Sequence, residues 1–282
     1  MGARNWRCGF AGKGLDESGL TEAQYIERKK YFYMTRIPIA LQLYSVREDC
    51  KKDFRGTLEA IARMDYDGVE FAGYYDVPAP ELKKWLDDLG LRCAGTHTGI
   101  DTLRGDNLQQ TIEFNKTLDN PYLIIPGLPA DYYESLDKWR EFIKEISDIA
   151  LRAGESGMKV GYHNHWAEFR TFDRTTLMDV FLQETAPEVL IQFDTGNAME
   201  GGATILPLLK TYFNRAATIH LKEYSATNKK ALVGEGVVDW QDVFYVCEEN
   251  VTQWYIVEQE TYPFPPLECA AKCLENLKKM GK

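Results

Sequence analysis

The sequence has only four histidines, and each lies at or near the end of an apolar run that is typical of a β-strand. They are His97 in RCAGTH, His163 and His165 in KVGYHNH, and His220 in ATIHLK. Carboxylates end two other runs of this kind, which are VLIQFD with Asp194 and WYIVEQE with Glu258 and Glu260. Imidazole and carboxylate groups together are common ligands of a divalent metal ion, and packed together without a cation they are poorly compensated. The sequence therefore points to a metal site, provided that the ends of these runs meet.

Eight such runs occur between residues 39 and 260. They are IALQLYSV, GVEFAG, RCAGTH, YLIIPG, KVGYHNH, VLIQFD, ATIHLK and WYIVEQE. Most are continuously apolar until their last two or three residues, which is typical of strands buried on both faces of a parallel sheet. Segments with helical spacing lie between them, such as Leu82, Trp85, Leu86 and Leu89. Eight strand and helix units in about 250 residues predict an α/β fold, a single (β/α)8 TIM barrel.

An open, doubly wound sheet is the alternative architecture. Such a sheet usually has fewer strands and often carries a glycine-rich phosphate loop after its first strand. Here the first run continues as LYSVRED, without that loop. We therefore expect a barrel over residues 37–282, preceded by a short N-terminal extension at residues 1–36.

The active site of a TIM barrel lies at the C-terminal ends of its strands. Runs five to eight would be neighbours, so their ends would bring together His163 or His165, Asp194, His220, and Glu258 or Glu260. Side chains alternate along a strand, so the two members of each pair would share one side. Other groups at strand ends could bind sugar hydroxyls or move protons, or could form surface salt bridges. These are Glu70, His97, Glu168, Asn197 and Lys222.

Composition excludes several classes of function. The chain has 33 Lys and Arg against 43 Asp and Glu, a formal net charge of −10, which argues against nucleic acid and anionic membranes as partners. The sequence has no run of eighteen apolar residues, so it predicts no membrane span. The N-terminus lacks the apolar core of a secretory signal. The six cysteines are scattered without a CxxC pair, so we expect reduced thiols in the cytoplasm.

An ordered set of motifs resembles a known family. LQLYSVRED, GVEFAGYY, GYHNHWAEF, FDTGNA, IHLKE, GEGVVDW and VEQE are similar to the sugar phosphate isomerase/epimerase group of the xylose isomerase-like TIM barrel superfamily. That group includes ketose 3-epimerases and inosose dehydratase. The resemblance covers residues 37 to about 280.

The resemblance implies a metal cofactor and its ligands. Ketose 3-epimerases hold one divalent ion, often manganese, with a Glu, an Asp, a His and a second Glu. The last three match Asp194, His220 and Glu258, whereas the first Glu falls on His163. The implied cofactor is one divalent ion at these four residues, with Mn2+ favoured and Co2+, Zn2+ or Mg2+ also compatible. A histidine at position 163 breaks the symmetrical two-glutamate arrangement of acid and base.

The implied function is a sugar isomerase or epimerase of carbohydrate metabolism. It would remove the α-proton of a keto sugar or cyclitol and form a metal-stabilised enediolate. The residues expected to take part in catalysis are Glu258, His97 and Lys222. Those expected to bind substrate are Glu70, His165, Glu168, Asn197 and Glu260. The absence of a clear basic cluster favours a substrate without phosphate, and a homo-oligomer is compatible with the sequence.

Other functions fit the same barrel. One site of this kind would also support an inosose dehydratase or a keto-glycoside lyase, since loss of a β-hydroxyl or a β-alkoxide can follow the same proton abstraction. A non-catalytic sugar-binding barrel would keep aromatic residues and lose the metal ligands. A metal-dependent abasic-site endonuclease needs three metal ions and more histidines than this chain has, and its DNA substrate is disfavoured by the charge.

Overall fold

The eight predicted barrel strands form a closed parallel barrel in the computed structural model, which describes residues 36–172 and 174–282. In chain order the strands are β1 (Ile39–Gln42), β2 (Gly68–Phe71), β3 (Arg92–His97), β4 (Tyr122–Ile125), β5 (Lys159–His163), β6 (Thr171–Phe172), β7 (Thr175–Thr176), β8 (Leu190–Asp194), β9 (Thr218–Leu221) and β10 (Trp254–Val257). Around the barrel the order is β1-β10-β9-β8-β5-β4-β3-β2, and β6 and β7 form a small antiparallel hairpin after β5. The predicted TIM barrel is confirmed. The predicted extension falls on residues that lie outside the described ones, apart from Arg36.

Ten α-helices of the described residues surround the strands. They are α1 (Arg47–Lys52), α2 (Phe54–Arg63), α3 (Ala79–Leu89), α4 (Asn107–Thr117), α5 (Leu136–Gly154), α6 (Leu177–Glu184), α7 (Thr195–Glu200), α8 (Ile205–Thr211), α9 (Trp240–Glu248) and α10 (Pro266–Lys279). Local signals fix their ends. Helix α3 has Pro80 in its first turn and ends at Gly90, whose φ of 69° is the left-handed conformation that glycine adopts easily. Thr176 and Asp179 cap α6 reciprocally, an arrangement worth about 1 kcal/mol.

The core has two parts. The larger part lies between the strands and the outer helices, where α5 buries Trp139, Phe142 and Ile146. A smaller cluster includes one or two residues from most of the barrel strands. Its members are Ala40, Ala94, Tyr122, Ile124, Leu190, Ala217, Trp254 and Ile256. Two residues further along several of these strands, towards their C-terminal ends, the buried side chains are polar instead of apolar. This change marks the C-terminal end of the barrel as the end at which a site can lie.

Six of the eight barrel strands end before the runs that predicted them, and two of these differences concern site residues. Strand β5 ends at His163 and β10 ends at Val257, so His165 and Glu260 lie in loops and the placement of these two residues within strands was wrong. The turn after β5 has a specific cause, because the buried carboxylate of Glu168 accepts a hydrogen bond of 2.9 Å from the backbone N–H of His165. Strand alternation therefore does not relate His165 to His163.

Two further observations concern the described residues. None of their helices combines the length and the apolar character that crossing a membrane requires. Their five cysteines are buried free thiols, as the scattered spacing predicted.

Candidate metal centre

Four side chains from adjacent strands converge at the C-terminal end of the barrel. His163 ends β5, Asp194 ends β8, His220 is the third residue of β9, and Glu258 directly follows β10. Asp194 is in register with His220, which brings their side chains to one level. One ligand atom of each of the four residues lies within 4.8 Å of the others, and all four residues are buried. Nδ1 of His220 lies 3.3 Å from Glu258 Oε2 and 3.8 Å from Asp194 Oδ2.

Two atoms of this cluster have no partner in the described part of the chain. Asp194 Oδ1 accepts a hydrogen bond of 2.6 Å from the N–H of Asn197, but the buried Oδ2 has no hydrogen-bond partner. His163 Nδ1 is also buried without one. A buried polar atom left unpaired costs about 1–3 kcal/mol, so a native structure seldom keeps two in one place without a ligand. The donor set of imidazoles and carboxylates therefore fits a divalent cation.

The charges of the cluster have been redistributed by burial. Burial raises the pKa of Asp194 to about 8, with a further contribution from Glu258. Burial alone would also raise the pKa of Glu258, but Lys222, His220 and His163 hold it well below its usual range. The site therefore contains a carboxylate that is ionised beside one that holds its proton. Burial, reinforced by the neighbouring histidines, lowers the pKa of His163 and keeps this ring neutral.

Lys222 lies beside the cluster and contacts two of the predicted residues. Its Nζ is 3.4 Å from Glu258 Oε2, and it also donates a hydrogen bond to Glu260. Burial would lower the pKa of Lys222, but Glu258, Asp194 and Glu260 together raise it above its ordinary value. A permanent positive charge therefore adjoins the Glu258 carboxylate. Gly196 leaves room for this lysine, because a Cβ there would lie 2.9 Å from Lys222 Cγ.

Glu70 and His97 lie against the same cluster. Glu70 is fully buried, and Nε2 of His220 donates to its Oε2 at 2.6 Å. The ring of His97 stacks on His220 with centroids 5.2 Å apart, and it lies 5.1 Å from the ring of His163. Burial would raise the pKa of Glu70, but the two neighbouring histidines outweigh it and lower the pKa.

The other predicted substrate contacts have different surroundings. His165 packs its ring against His163, with centroids 4.9 Å apart. Asn197 lies within hydrogen-bonding distance of His163 Nε2 and donates to the carbonyl of Asn164, so it contacts the cluster through the His163 ring. Glu168 is fully buried, and its carboxylate accepts hydrogen bonds from the Tyr162 hydroxyl and the His165 N–H.

Several contributing residues were missed from the sequence. Gln42 and Gln192 both donate to Glu70, and Asn164 accepts a hydrogen bond of 2.9 Å from the N–H of Asp194. A usable signal existed for the two glutamines, because each is a polar residue within the apolar strand runs IALQ and VLIQFD. Asn164 carried a weaker one, as it stands between the two histidines of YHNH.

Fold and site together define a TIM barrel with a cluster of metal-ligand type at the C-terminal ends of its strands. The profile of the family described as xylose isomerase-like TIM barrel matches residues 58–280, and the chain belongs to this family. The predicted family is thereby confirmed. The proteins to which the chain is similar include one named as a dehydratase and one named as an isomerase/epimerase.

Three relatives give the extent of the similarity. An inosose dehydratase of Clostridium beijerinckii is 25% identical over 176 residues, which cover 55% of this chain and 58% of that protein. The chain thus spans little more than half of that protein's length. An inosose dehydratase of Salmonella agona is 24% identical over 297 residues, covering 90% of this chain and 98% of its own. A sugar phosphate isomerase/epimerase structure from Parabacteroides distasonis has a TM-score of 0.74 at 22% identity, covers 86% of this chain and 97% of its own, and shares the fold.

Proposed function

We propose that this chain is a divalent-metal-dependent sugar isomerase or epimerase that removes the α-proton of a keto sugar or cyclitol. The observation that carries the proposal is the buried cluster of His163, Asp194, His220 and Glu258. Within it, Oδ2 of Asp194 has no hydrogen-bond partner among the residues that the structure describes. Mixed nitrogen and oxygen ligands suit manganese, cobalt, zinc or magnesium. Manganese is our first choice because of the resemblance to ketose 3-epimerases.

The residues of the site would divide the work of proton removal. A bound divalent ion would polarise the substrate carbonyl and stabilise the negative charge that develops on it. Glu258 is our proton acceptor, since its lowered pKa keeps it ionised within the cluster. Lys222 would hold this carboxylate in position through Nζ and balance its charge. Burial of the site would limit competition from bulk water.

Isomerisation and epimerisation also need a group that returns the proton. His97 is our candidate, because its ring contacts the rings of both His163 and His220. Glu70 fits this role less well, since it is fully buried and its two oxygens already accept hydrogen bonds. His165 and Glu260 are only partly buried and stay our proposed substrate contacts.

Dehydration is the second candidate function, and two observations favour it. The curated relatives described above are inosose dehydratases. In addition, the Glu70 carboxylate is enclosed by hydrogen-bond donors and burial raises the pKa of Glu168, which leaves Glu258 as our main proton acceptor. One base is enough to start an elimination, whereas inversion at a carbon needs groups on both of its faces. A keto-glycoside lyase would use the same step with an alkoxide as the leaving group.

The remaining sequence-based predictions belong to this proposal. The substrate would be a small sugar or cyclitol without phosphate, and the protein would act in the cytoplasm. The homo-oligomer and the domain boundary after residue 36 stay predictions.

The metal is tested first, by elemental analysis of protein purified without chelator. We expect about one divalent ion per chain in the wild type and in Asp137→Asn, which changes an exposed carboxylate at the start of α5. Asp194→Asn should lose the metal while retaining the circular dichroism spectrum of the wild type. Full occupancy in Asp194→Asn would contradict the assigned site.

The reaction is tested with a panel of keto sugars and cyclitols in D2O, followed by NMR. Metal-dependent deuterium uptake at the α-carbon without loss of water would support the isomerase or epimerase. Uptake together with loss of water would instead support the dehydratase. If metal-loaded protein exchanges no α-proton across the panel, the proposed proton abstraction is wrong and a sugar-binding role gains support.

A further inference from the structure

The carboxylate of Glu70 is surrounded by four nitrogen atoms inside the barrel. Its Oε1 accepts from Gln192 Nε2 at 2.7 Å, and its Oε2 accepts from Gln42 Nε2 and His220 Nε2, both at 2.6 Å. His97 Nε2 lies 3.3 Å from the same Oε2. Both oxygens therefore act as acceptors, and no face of this fully buried group is left for a substrate.

The orientation of each side-chain amide follows from neighbouring groups that can only donate or only accept a hydrogen bond. The backbone N–H of Tyr44 donates to Gln42 Oε1 at 3.0 Å, so the amide nitrogen of Gln42 faces Glu70. Gln192 likewise turns its nitrogen to the carboxylate, and its Oε1 then meets His97 Nε2 at 2.9 Å. Because an amide oxygen only accepts, His97 must carry a hydrogen on Nε2.

The same reasoning determines which ring nitrogen of His220 carries the hydrogen. Its Nε2 faces the Glu70 carboxylate and must donate, so a neutral ring has its lone pair on Nδ1. That nitrogen points to Glu258 and Asp194, at 3.3 and 3.8 Å. Carboxylates behind ligating histidines commonly fix the ring orientation and the tautomer in this way.

We propose that Glu70 is a positioning residue that sets the tautomers of two histidines, instead of the substrate contact that the sequence predicted. It holds His220 directly as the Nε2–H form, which presents Nδ1 to the cation. Through Gln192 it keeps a hydrogen on Nε2 of His97, which leaves Nδ1 as the nitrogen of that ring at which a proton can be taken up or released. The His220 part rests on the proposed metal site, whereas the His97 part does not.

The space around the carboxylate supports a fixed position. A Cβ on Gly95 would lie 2.7 Å from Glu70 Oε1, so glycine gives the carboxylate the room it needs at this level of the barrel. Gln192 Nε2 also lies 3.0 Å from the buried Thr218 hydroxyl, which holds this amide on its other side. The carboxylate is thus held by contacts from several strands.

NMR of protein labelled with 15N in histidine tests the proposal, since the two ring nitrogens have distinct shifts in each tautomer. Four histidines make assignment feasible with single His→Gln variants. In the metal-free wild type we expect His97 as the Nε2–H form. In the zinc-loaded protein we expect zinc on Nδ1 of His220. An Nδ1–H form of His97, or zinc on Nε2 of His220, would overturn the proposal.

Variants separate positioning from simple packing. Glu70→Gln keeps the shape but supplies one acceptor oxygen and one donor nitrogen for the four surrounding donors. We expect mixed tautomers at His97 and zinc binding weakened by about 10–100-fold. Asp137→Asn is the control, because it neutralises an exposed carboxylate at the start of α5, outside the site, and should leave the tautomers and the zinc affinity unchanged. Equal effects of the two variants would overturn the proposal.

Two further readouts keep the test decisive. If Glu70→Gln fails to fold, Gln192→Leu removes the acceptor of His97 together with one donor to Glu70 Oε1. It should change the tautomer of His97, whereas His220, which donates to the other oxygen of Glu70, should keep its tautomer. An unchanged His97 would contradict the proposal. If zinc does not bind the wild type, the metal site and the His220 assignment are wrong. An Nε2–H form of His97 in the metal-free protein would still support the role of Glu70 toward that ring.

Discussion

Addition of a divalent ion to the metal-free protein should displace protons, and their number follows from the site. Burial would lower the pKa of His220, but Glu70 and Glu258 outweigh it and raise this pKa to about 10. Burial raises the pKa of Asp194 to about 8. At pH 7 the histidine is then protonated and the aspartate is mostly protonated. Both must be unprotonated to ligate a metal, so we expect release of close to two protons.

The charge balance of the cluster explains why this exchange is feasible. Without metal, the carboxylates of Glu70 and Glu258 are balanced by the cations of His220 and Lys222. When the metal binds, His220 and Asp194 each lose one proton. The two positive charges of the ion replace the two positive charges that leave with these protons. The net charge of these buried groups is zero in both states, which avoids the large cost of an unpaired buried charge.

The number of released protons also sets the pH dependence of affinity. The apparent Kd should fall close to 100-fold between pH 6 and pH 7. Near pH 9, where Asp194 is already ionised, about one proton remains and the change is about tenfold per pH unit.

Isothermal titration calorimetry with zinc measures this number directly, from the dependence of the enthalpy on the ionisation enthalpy of the buffer. Asp137→Asn, which alters a carboxylate outside the site, should behave as the wild type. Release of fewer than about 0.5 protons at pH 7, or equal release at pH 7 and pH 9, would refute the reasoning.

Four further predictions concern stability, catalysis and the ends of the chain. The metal-free protein should lose thermal stability as the pH rises from about 6.5 to 10, because folded His220 keeps a proton that the unfolded chain has released. Calorimetry measures this change, and a Tm that stays constant over this pH range would contradict the prediction. Glu258→Gln should slow α-proton exchange by at least about 10²-fold, as followed by NMR in D2O, and an unchanged rate would assign the base elsewhere. His165→Ala should weaken metal binding by about 10–100-fold at most, and loss of all metal in elemental analysis would instead make His165 a ligand. A chain starting at Met34 should bind metal and unfold cooperatively, whereas its aggregation would indicate that the removed residues cover apolar surface.

Much of the barrel could be predicted because its signals are local. Strands buried on both faces appear as apolar runs, and the helix patterns between them end at glycines such as Gly90 and Gly154. The exact strand ends could not be predicted. They depend on contacts distant from the strand signal, such as the Glu168 carboxylate that accepts from the N–H of His165 and turns the chain.

The convergence of four groups was predictable for a topological reason. His163, Asp194, His220 and Glu258 occur at or near the ends of consecutive barrel strands, and barrel closure brings those ends together. The partners of each group were not predictable, because hydrogen-bond direction depends on three-dimensional position. Glu70 is the clearest example, since its carboxylate is reached by Gln192, which lies 122 residues away in the chain.

The histidine at position 163 is consistent with the charges around it. The resemblance to ketose 3-epimerases places a glutamate there, which would add one negative charge to the metal-loaded cluster. In this chain Glu70 already supplies a buried carboxylate behind His220, and Lys222 supplies one largely buried cation. A neutral His163 therefore leaves the loaded site without net charge, whereas a glutamate would leave it at −1 and raise the cost of burial. The departure at position 163 and the carboxylate of Glu70 are thus best understood as parts of one electrostatic arrangement.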